Sequence, residues 1–397
     1  MTTPRIILKA RRAQPFFGRH PWVFAGAIDA IDGSPADGDE VDLVSSAGNF
    51  VARGLFNAQS KIRVRLYSWE SGRALDRTFF RDRLDAAIRL RRDVLGLVRP
   101  HGACRLVFSE ADGLSGLTAD LYDHTIAVQF TSLGLAMRRQ MLGELLMELT
   151  SAQGVFLRTE RGIGKLEGVE LRDGPLCGSV SSDPIIVEED GGLRYLVNVA
   201  EGQKTGFYLD QRANRRAVAR YATGRSMLDA FCYSGGFGLY GARAGAMDVE
   251  CVDSSASALA LARRNAELNG ISHMRFVESD VFDRLTELVA EGRKFGLVVL
   301  DPPKFARARH AIPEAIRGYR RLYSLALRLL ERDGILVTCC CSGLIEAAML
   351  DDLLAQVSAA ERRDVQILER HGADVDHPVA VSCLETNYLK CIISRVV

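Results

Sequence analysis

The sequence predicts an α/β fold with a mostly parallel sheet for its C-terminal part, and three observations carry that prediction. From about residue 226, short apolar strands alternate with helical segments. The strands are apolar almost throughout, as in "FGLVVLDPP" (295–303) and "ILVTCCC" (335–341), whereas a half-solvated strand would alternate. The first strand, "SMLDAF" (226–231), runs directly into a glycine-rich turn that opens a helix. Strands of this kind separated by helices mean a parallel sheet covered on both faces.

The elements follow in order. After "SMLDAF" and its helix come strand "DVECVD" (248–253) and helix "SALALARRNAELNG" (257–270). Strand "MRFVESD" (274–280), helix "FDRLTELVAEG" (282–292) and strand "FGLVVLDPP" are next. A helix over 312–332, the strand ending in three cysteines and helix "LIEAAMLDDLLAQVSAA" (344–360) complete the alternation. The last two strands, "VQILER" (365–370) and "NYLKCIISRVV" (387–397), lack a convincing helix between them, which predicts an antiparallel pair at one edge. Upstream, residues 1–75 read as small β structure from "EVDLVSS", "FVARGLF" and "KIRVRLYSW", separated by turns. Residues 76–198 read as α+β: helix "DRTFFRDRLDAAIRLRRDVLGL" (76–97), three strands within 105–130, a helix at about 136–149 and further short strands. The predicted segments are therefore 1–75, 76–198 and 199–397.

At 397 residues the chain exceeds one ordinary core. With 47% hydrophobic and 25% charged residues, no apolar run long enough for a bilayer and no signal-like start, it reads as a soluble protein without membrane partners. Nine cysteines, an odd number unevenly spread, fit free thiols in a reducing cytoplasm. Residues 1–100 carry 17 Lys and Arg against 11 Asp and Glu, so a basic N-terminal module is hidden under a net charge of +1. Fifteen of those cations are arginines, suited to phosphate contacts, which points to nucleic acid.

In a parallel sheet, ligands bind at the carboxyl ends of the strands. The first end, "LDAFCYSGGFGLYG" (228–241), offers Asp229, Phe231, Ser234, Gly235 and Gly236, with glycines for close approach and a helix N-terminus for donors. It is not a clean GxGxxG and alone is a weak signal. The second end offers Asp253 and Ser254, the acid suiting a ribose diol; the third offers Asp280 and Val281 beside an adenine edge. Each acid alone reads equally well as a helix cap. Together the three ends describe an adenosine-containing ligand, a dinucleotide or S-adenosylmethionine. The fourth end, "VVLDPPKF" (298–305), decides for the latter: an Asp-Pro-Pro-aromatic loop is rigid and suits a flat base drawn from its stack. Asp301, Pro302, Pro303, Lys304 and Phe305 are its candidate substrate residues.

The fifth end is "TCCCSG" (338–343). Side chains alternate, so Cys339 and Cys341 share one face and Cys340 takes the other, with Cys341 nearest the carboxyl edge. Buried small hydrophobes are the reading for Cys339 and Cys340. Neither CxxC nor a His pair lies nearby, so no metal is expected. A thiol beside a base-binding loop points to carbon methylation: C5 of a pyrimidine becomes nucleophilic only after a thiolate adds at C6.

These motifs, "RHPWVFAGAI" (19–28), "EADGLSGLTADLYD" (110–123), "KTGFYLDQR" (204–212), "FCYSGGFG" (231–238), "LDPPKF" (300–305), "CSGL" (341–344) and "HPV" (377–379), resemble those of the ribosomal RNA large subunit methyltransferase I family, nearly end to end. The resemblance implies a PUA domain, a central α+β domain and a class I (Rossmann-like) methyltransferase domain that uses S-adenosylmethionine on cytosine C5 of 23S rRNA or its large-subunit precursor. It implies Cys341 as nucleophile and Asp301 as the acid of the loop, with Tyr208, Asp210 and Gln211 brought to the cofactor. Two departures stand out: Cys339 replaces a serine of the family pattern, and the Asp-Pro-Pro loop has no second cysteine, so the base that takes the C5 proton is unassigned. Guanine N-methylation, or RNA binding without catalysis, are the competing readings, and a homodimer stays open.

Overall fold

The computed structural model describes residues 3–160, 162–202, 204–306 and 308–397. The chain packs as two compact units. The first contains Met1–Val187, Val197–Leu209 and Val375–Thr386; the second contains Glu188–Leu196, Asp210–Asp374 and Asn387–Val397.

In the first unit, residues 5–68 form a six-stranded sheet in the order Trp22–Phe24, Ile62–Ser68, Phe50–Phe56, Glu40–Val44, Arg5–Leu8, Ile28–Asp32. Alternate residues such as Val41, Leu43, Val64 and Leu66 are fully buried in its core. A second sheet of five strands spans Ala103–Phe108 to Gly174–Gly178 and contains the three strands expected within 105–130. The helix expected over 76–97 is α-helical for Arg77–Arg89 and continues as a π-turn over Leu90–Val94. Asp76 caps it by accepting from the Phe79 N–H at 2.8 Å, which satisfies one of the orphan donors of the first turn. The two sheets are joined by a buried polar knot: Arg65 of the first reaches Glu110 at 3.3 Å and Glu167 at 3.1 Å, and Tyr67 donates to the Ser115 carbonyl at 2.7 Å.

The second unit is built on seven strands: β1 (Ser226–Ala230), β2 (Asp248–Asp253), β3 (Met274–Glu278), β4 (Phe295–Leu300), β5 (Leu330–Cys340), β6 (Val365–His371) and β7 (Lys390–Val396). Their spatial order is β3-β2-β1-β4-β5-β7-β6. The first five run parallel, while β7 is antiparallel to both β5 and β6, which is the antiparallel closure read from the sequence. Strand order reverses between β1 and β4, so the crevice at their carboxyl ends is the binding position of the fold. Every residue of β4 is buried. The helix expected over 312–332 stops at Leu329, because Leu330 already pairs with Phe295 and the chain bends at Asp333, whose φ is +62°. Among the described residues no helix is long and apolar enough to cross a membrane.

Candidate active site

Three carboxylates gather at the carboxyl ends of neighbouring strands. Asp229 sits on β1, Asp253 ends β2 and Asp301 follows β4. Asp229 is buried, accepts from the Gly238 N–H at 2.8 Å through Oδ2, and has no partner for Oδ1. Burial, reinforced by the charges of Asp301 and Asp253, raises its carboxyl to about 7. Asp253 accepts from the backbone N–H of Tyr233 at 2.9 Å and of Ser255 at 3.0 Å, which fixes the loop after β1 against the end of β2.

That loop is wound tightly. Phe231, Tyr233 and Gly235 all have positive φ, at 64°, 48° and 79°, and only the last is a glycine. Two non-glycine residues held there are backbone strain concentrated at the first strand end. Ser234 is buried and its carbonyl accepts from Asn265 at 3.0 Å; Gly235 precedes the helix Gly236–Arg243. A Cβ at Gly236 would lie 3.1 Å from Arg215 Cδ, close enough that the Arg215 side chain would have to give way slightly. Arg215 is itself buried in a bidentate pair with Glu189 at 2.5 and 3.2 Å, so a fixed cation underlies the glycine turn.

The other predicted cofactor residues are placed unevenly. Asp210 is buried, accepts from the Tyr388 hydroxyl, and its carbonyl accepts from Asp374 N–H at 2.9 Å. Gln211 is buried and donates to Asp301 Oδ2 at 2.9 Å, while Asn214 donates to Gln211 Oε1 at 2.5 Å. Asn214 thereby aims the Gln211 amide, and Gln211 aims Asp301. Ser254 is exposed after β2. Asp280 spends one oxygen on its own helix, accepting from Phe282 and Asp283 N–H groups, and Val281 is buried in the core, so what it offers a ligand is its backbone N–H. Tyr208 belongs to the first unit, where Lys204 Nζ lies 4.3 Å from its ring centre.

At the substrate side, Pro302 is buried, while Pro303 and Lys304 are exposed. Phe305, expected to meet a base, is half-buried with its ring 5.0 Å from Tyr319 and 6.5 Å from Phe282. Cys339 and Cys340 are buried and Cys341, first after β5, is half-buried. Cys340 lies in the core with Tyr319. Cys339 pairs across the ladder with Cys391, and that neighbouring thiol, with burial, pushes it well above the ordinary thiol range. The next residue ties the turn to the loop: Ser342 Oγ donates to the Ala306 carbonyl at 3.1 Å, one residue beyond Phe305. Asn214, Tyr388 and Lys390 carry no signal in the sequence. Nothing in an isolated helix or a terminal strand marks a residue as facing a strand end formed by a distant part of the chain.

Among the described residues one group of metal-type ligands comes together, His20, Cys383 and Glu385 in the first unit, within 4.8 Å of one another. Glu385 Oε2 already accepts from Cys383 at 3.4 Å and lies 3.5 Å from His20 Nε2, so hydrogen bonding accounts for the grouping.

The residues fit a cationic, adenosine-bearing ligand. The unpartnered oxygen of buried Asp229, with the half-buried Asp253 and Asp301 facing it, calls for a positive group, and the glycine turn lets a backbone come close. A sheet of this order with such strand ends defines an S-adenosylmethionine-dependent methyltransferase. The family model of that description matches residues 101–387, and a PUA-like domain model matches 6–69. The chain belongs to the ribosomal RNA large subunit methyltransferase I family: it is 39% identical to the protein of that name from Aeromonas hydrophila subsp. hydrophila, covering 98% of each chain, and 40% identical to that of Shewanella denitrificans, covering 99% of each. Among solved structures, a putative S-adenosylmethionine-dependent methyltransferase from Streptococcus mutans superposes with a TM-score of 0.83 at 20% identity, covering 98% of this chain and 99% of the other. That likeness concerns the fold.

Proposed function

We propose that the protein methylates C5 of a cytosine in 23S rRNA, free or in a large-subunit precursor in the cytoplasm, with Cys341 as the nucleophile. The observation that carries this is the bond from Ser342 to Ala306, which laces the Cys-Ser-Gly turn to the Asp-Pro-Pro-Lys-Phe loop. A thiol at one strand end is thereby held beside a stiff base-binding loop at the next.

S-adenosylmethionine, when bound, supplies an electrophilic methyl group on a sulfonium. Everything else falls to the chain. The Cys341 thiolate adds to C6 of the base, forming a C–S bond and placing an electron pair at C5. C5 takes the methyl group, the bonding pair of the broken methyl–sulfur bond staying on sulfur as a neutral thioether. The C5 proton then passes to water or a basic group, its electron pair restores the C5–C6 double bond, and the C–S pair leaves with the Cys341 thiolate. Asp301, aimed by Gln211 at 2.9 Å, suits the protonated N3 or the exocyclic amine of the cytosine, both of which donate to a carboxylate. Pro302 and Pro303 remove two backbone donors and fix the loop that receives the base. The basic residues of 1–75, a PUA-like segment, suit the phosphates of structured RNA, with 76–198 as a central segment and 199–397 as the catalytic one.

The test is a trap. The enzyme, S-adenosylmethionine and rRNA carrying 5-fluorocytidine are expected to form a stable protein–RNA adduct, because fluorine cannot leave as a proton does. Cys341→Ala is expected to abolish it and Cys339→Ala to leave it. An adduct that survives Cys341→Ala, or methylation without Cys341, would turn the assignment toward nitrogen methylation.

A further inference from the structure

Lys390 opens β7 and pairs in register with Cys340 of β5. Residues paired across an antiparallel ladder project to the same face, so its stem starts on the face of Cys340 and only its ammonium, past the strand end, reaches the turn that follows Cys341. The ammonium donates to the Ser342 carbonyl at 2.9 Å and to the Tyr388 carbonyl at 3.2 Å. An ammonium has three donors, and these two bonds hold it against the residue that follows Cys341. Half-buried lysines cost desolvation free energy, and burial here lowers the ionisation of Lys390 from its ordinary value. The titratable groups that face it are Cys340 and Cys341 at the end of β5 and Glu346 before the helix Ala347–Glu361, which favour the ammonium when ionised, and Lys304 of the Asp-Pro-Pro loop, which opposes it; Tyr319 of the helix Ile312–Leu329 faces Cys341 as well.

We propose that Lys390 is the positioning residue of the reaction: anchored on the Ser342 carbonyl, its ammonium fixes the Cys-Ser-Gly turn and supplies the positive charge against which Cys341 ionises. The thiol loses its proton to solvent, the S–H electron pair stays on sulfur, and Lys390 remains protonated throughout. Two carbonyl anchors keep that charge in place before a base arrives, so none of the substrate's binding is spent on ordering it. The inference rests on Cys341 as nucleophile and names the group that activates it.

The experiment reads the thiol without catalysis. Alkylation of Cys341 by iodoacetamide is followed against pH by mass spectrometry of its peptide, in the full chain without RNA. Lys390→Met is expected to shift the midpoint upward by about one pH unit and to slow alkylation about tenfold at pH 7, since thiolate is the reacting form. Lys390→Arg keeps the cation and is expected to restore most of the rate. An unchanged midpoint in Lys390→Met, with S-adenosylmethionine binding intact as the check on folding, overturns the inference. If Lys390→Met does not fold, Lys390→Gln, which keeps a donor for the carbonyls, takes its place: a raised midpoint supports the inference and an unchanged one overturns it. The 5-fluorocytidine trap on the unaltered enzyme separates the two ideas: no adduct sinks Cys341 as nucleophile, whereas an adduct with an unshifted midpoint sinks Lys390 alone.

Discussion

Asp229 carries a charge that is costly to maintain. It is buried, faces two other acids, and one of its oxygens has no partner. Its carboxyl ionises at about 7 in the folded protein but at about 4 in an unfolded chain. Between those values the folded state therefore holds more protons, so this residue makes stability fall as pH rises from about 4 to about 7, and the loss is complete above. A cation bound beside it reverses the preference and draws the proton off. Affinity for S-adenosylmethionine is thus expected to strengthen about tenfold between pH 6 and pH 8, the slope of a single deprotonation. Asp229→Asn still offers an oxygen to the Gly238 N–H, so it is expected to stabilise the ligand-free protein at pH 8 and to flatten and weaken binding. Calorimetric titration across that pH range checks it, and an equally steep dependence in Asp229→Asn would assign the proton elsewhere. The sequence identified Asp229 as a candidate from its position on the first strand end. Its shifted ionisation was beyond reach there, because that depends on Asp253 and Asp301 arriving from two other strands.

The first strand–turn–helix shows how an element turns sequence into a site. Gly238 lies one turn into the helix Gly236–Arg243, where an added Cβ would meet Cys251 Sγ at 2.7 Å, Met274 Cε at 3.0 Å and Asp229 Oδ2 at 3.2 Å. This glycine is there for contact with β2, β3 and the acid it donates to, not for an unusual φ. Gly238→Ala is expected to cost about 1–3 kcal/mol by overpacking and to weaken S-adenosylmethionine binding by pushing Asp229 off its N–H bond; a denaturant melt and a binding titration measure both. An unchanged melt would mean that Met274 and Cys251 yield freely. Elements of this kind were legible: the alternation of apolar strands and helices foretold the five parallel strands, and the missing helix before "NYLKCIISRVV" foretold the antiparallel closure. What was not legible is where register takes over from periodicity. The helix over 312–332 looks continuous by spacing, yet Leu330 is captured by Phe295 of β4. Phe305 reads as a free aromatic after two prolines, but Tyr319 and Phe282 cover part of it, and both sit on helices whose packing only the tertiary fold decides.

At the scale of the whole molecule, chain order and packing order part company. The stretch Val375–Thr386 follows β6 in sequence yet belongs to the first unit, whose other segments end at Leu209. Its anchor is Asp376, fully buried: Oδ2 accepts from the Arg105 N–H at 3.0 Å, Oδ1 is 2.7 Å from His377 Nδ1, and its carbonyl accepts from Arg91 at 2.7 Å. His377 in turn packs on Phe108, with ring centres 5.1 Å apart, so "HPV" is a structural latch on the strand Ala103–Phe108. Arg91 is itself fully buried, and it also donates to Asp112 at 2.6 Å and to the Ala87 carbonyl at 3.2 Å. Removing the Asp376 carboxylate leaves a buried N–H and a buried imidazole short of an acceptor, each worth about 1–3 kcal/mol. Asp376→Ala is therefore expected to destabilise the first unit by about 2–4 kcal/mol although the residue lies 271 positions beyond Arg105. Amide exchange locates the effect: the Arg105 N–H should lose protection along with its strand, while amides of β4 keep theirs. If Arg105 stays protected in Asp376→Ala, the latch is not what holds that strand, and a fragment ending at residue 209 should then fold as stably as the unit does in the full chain.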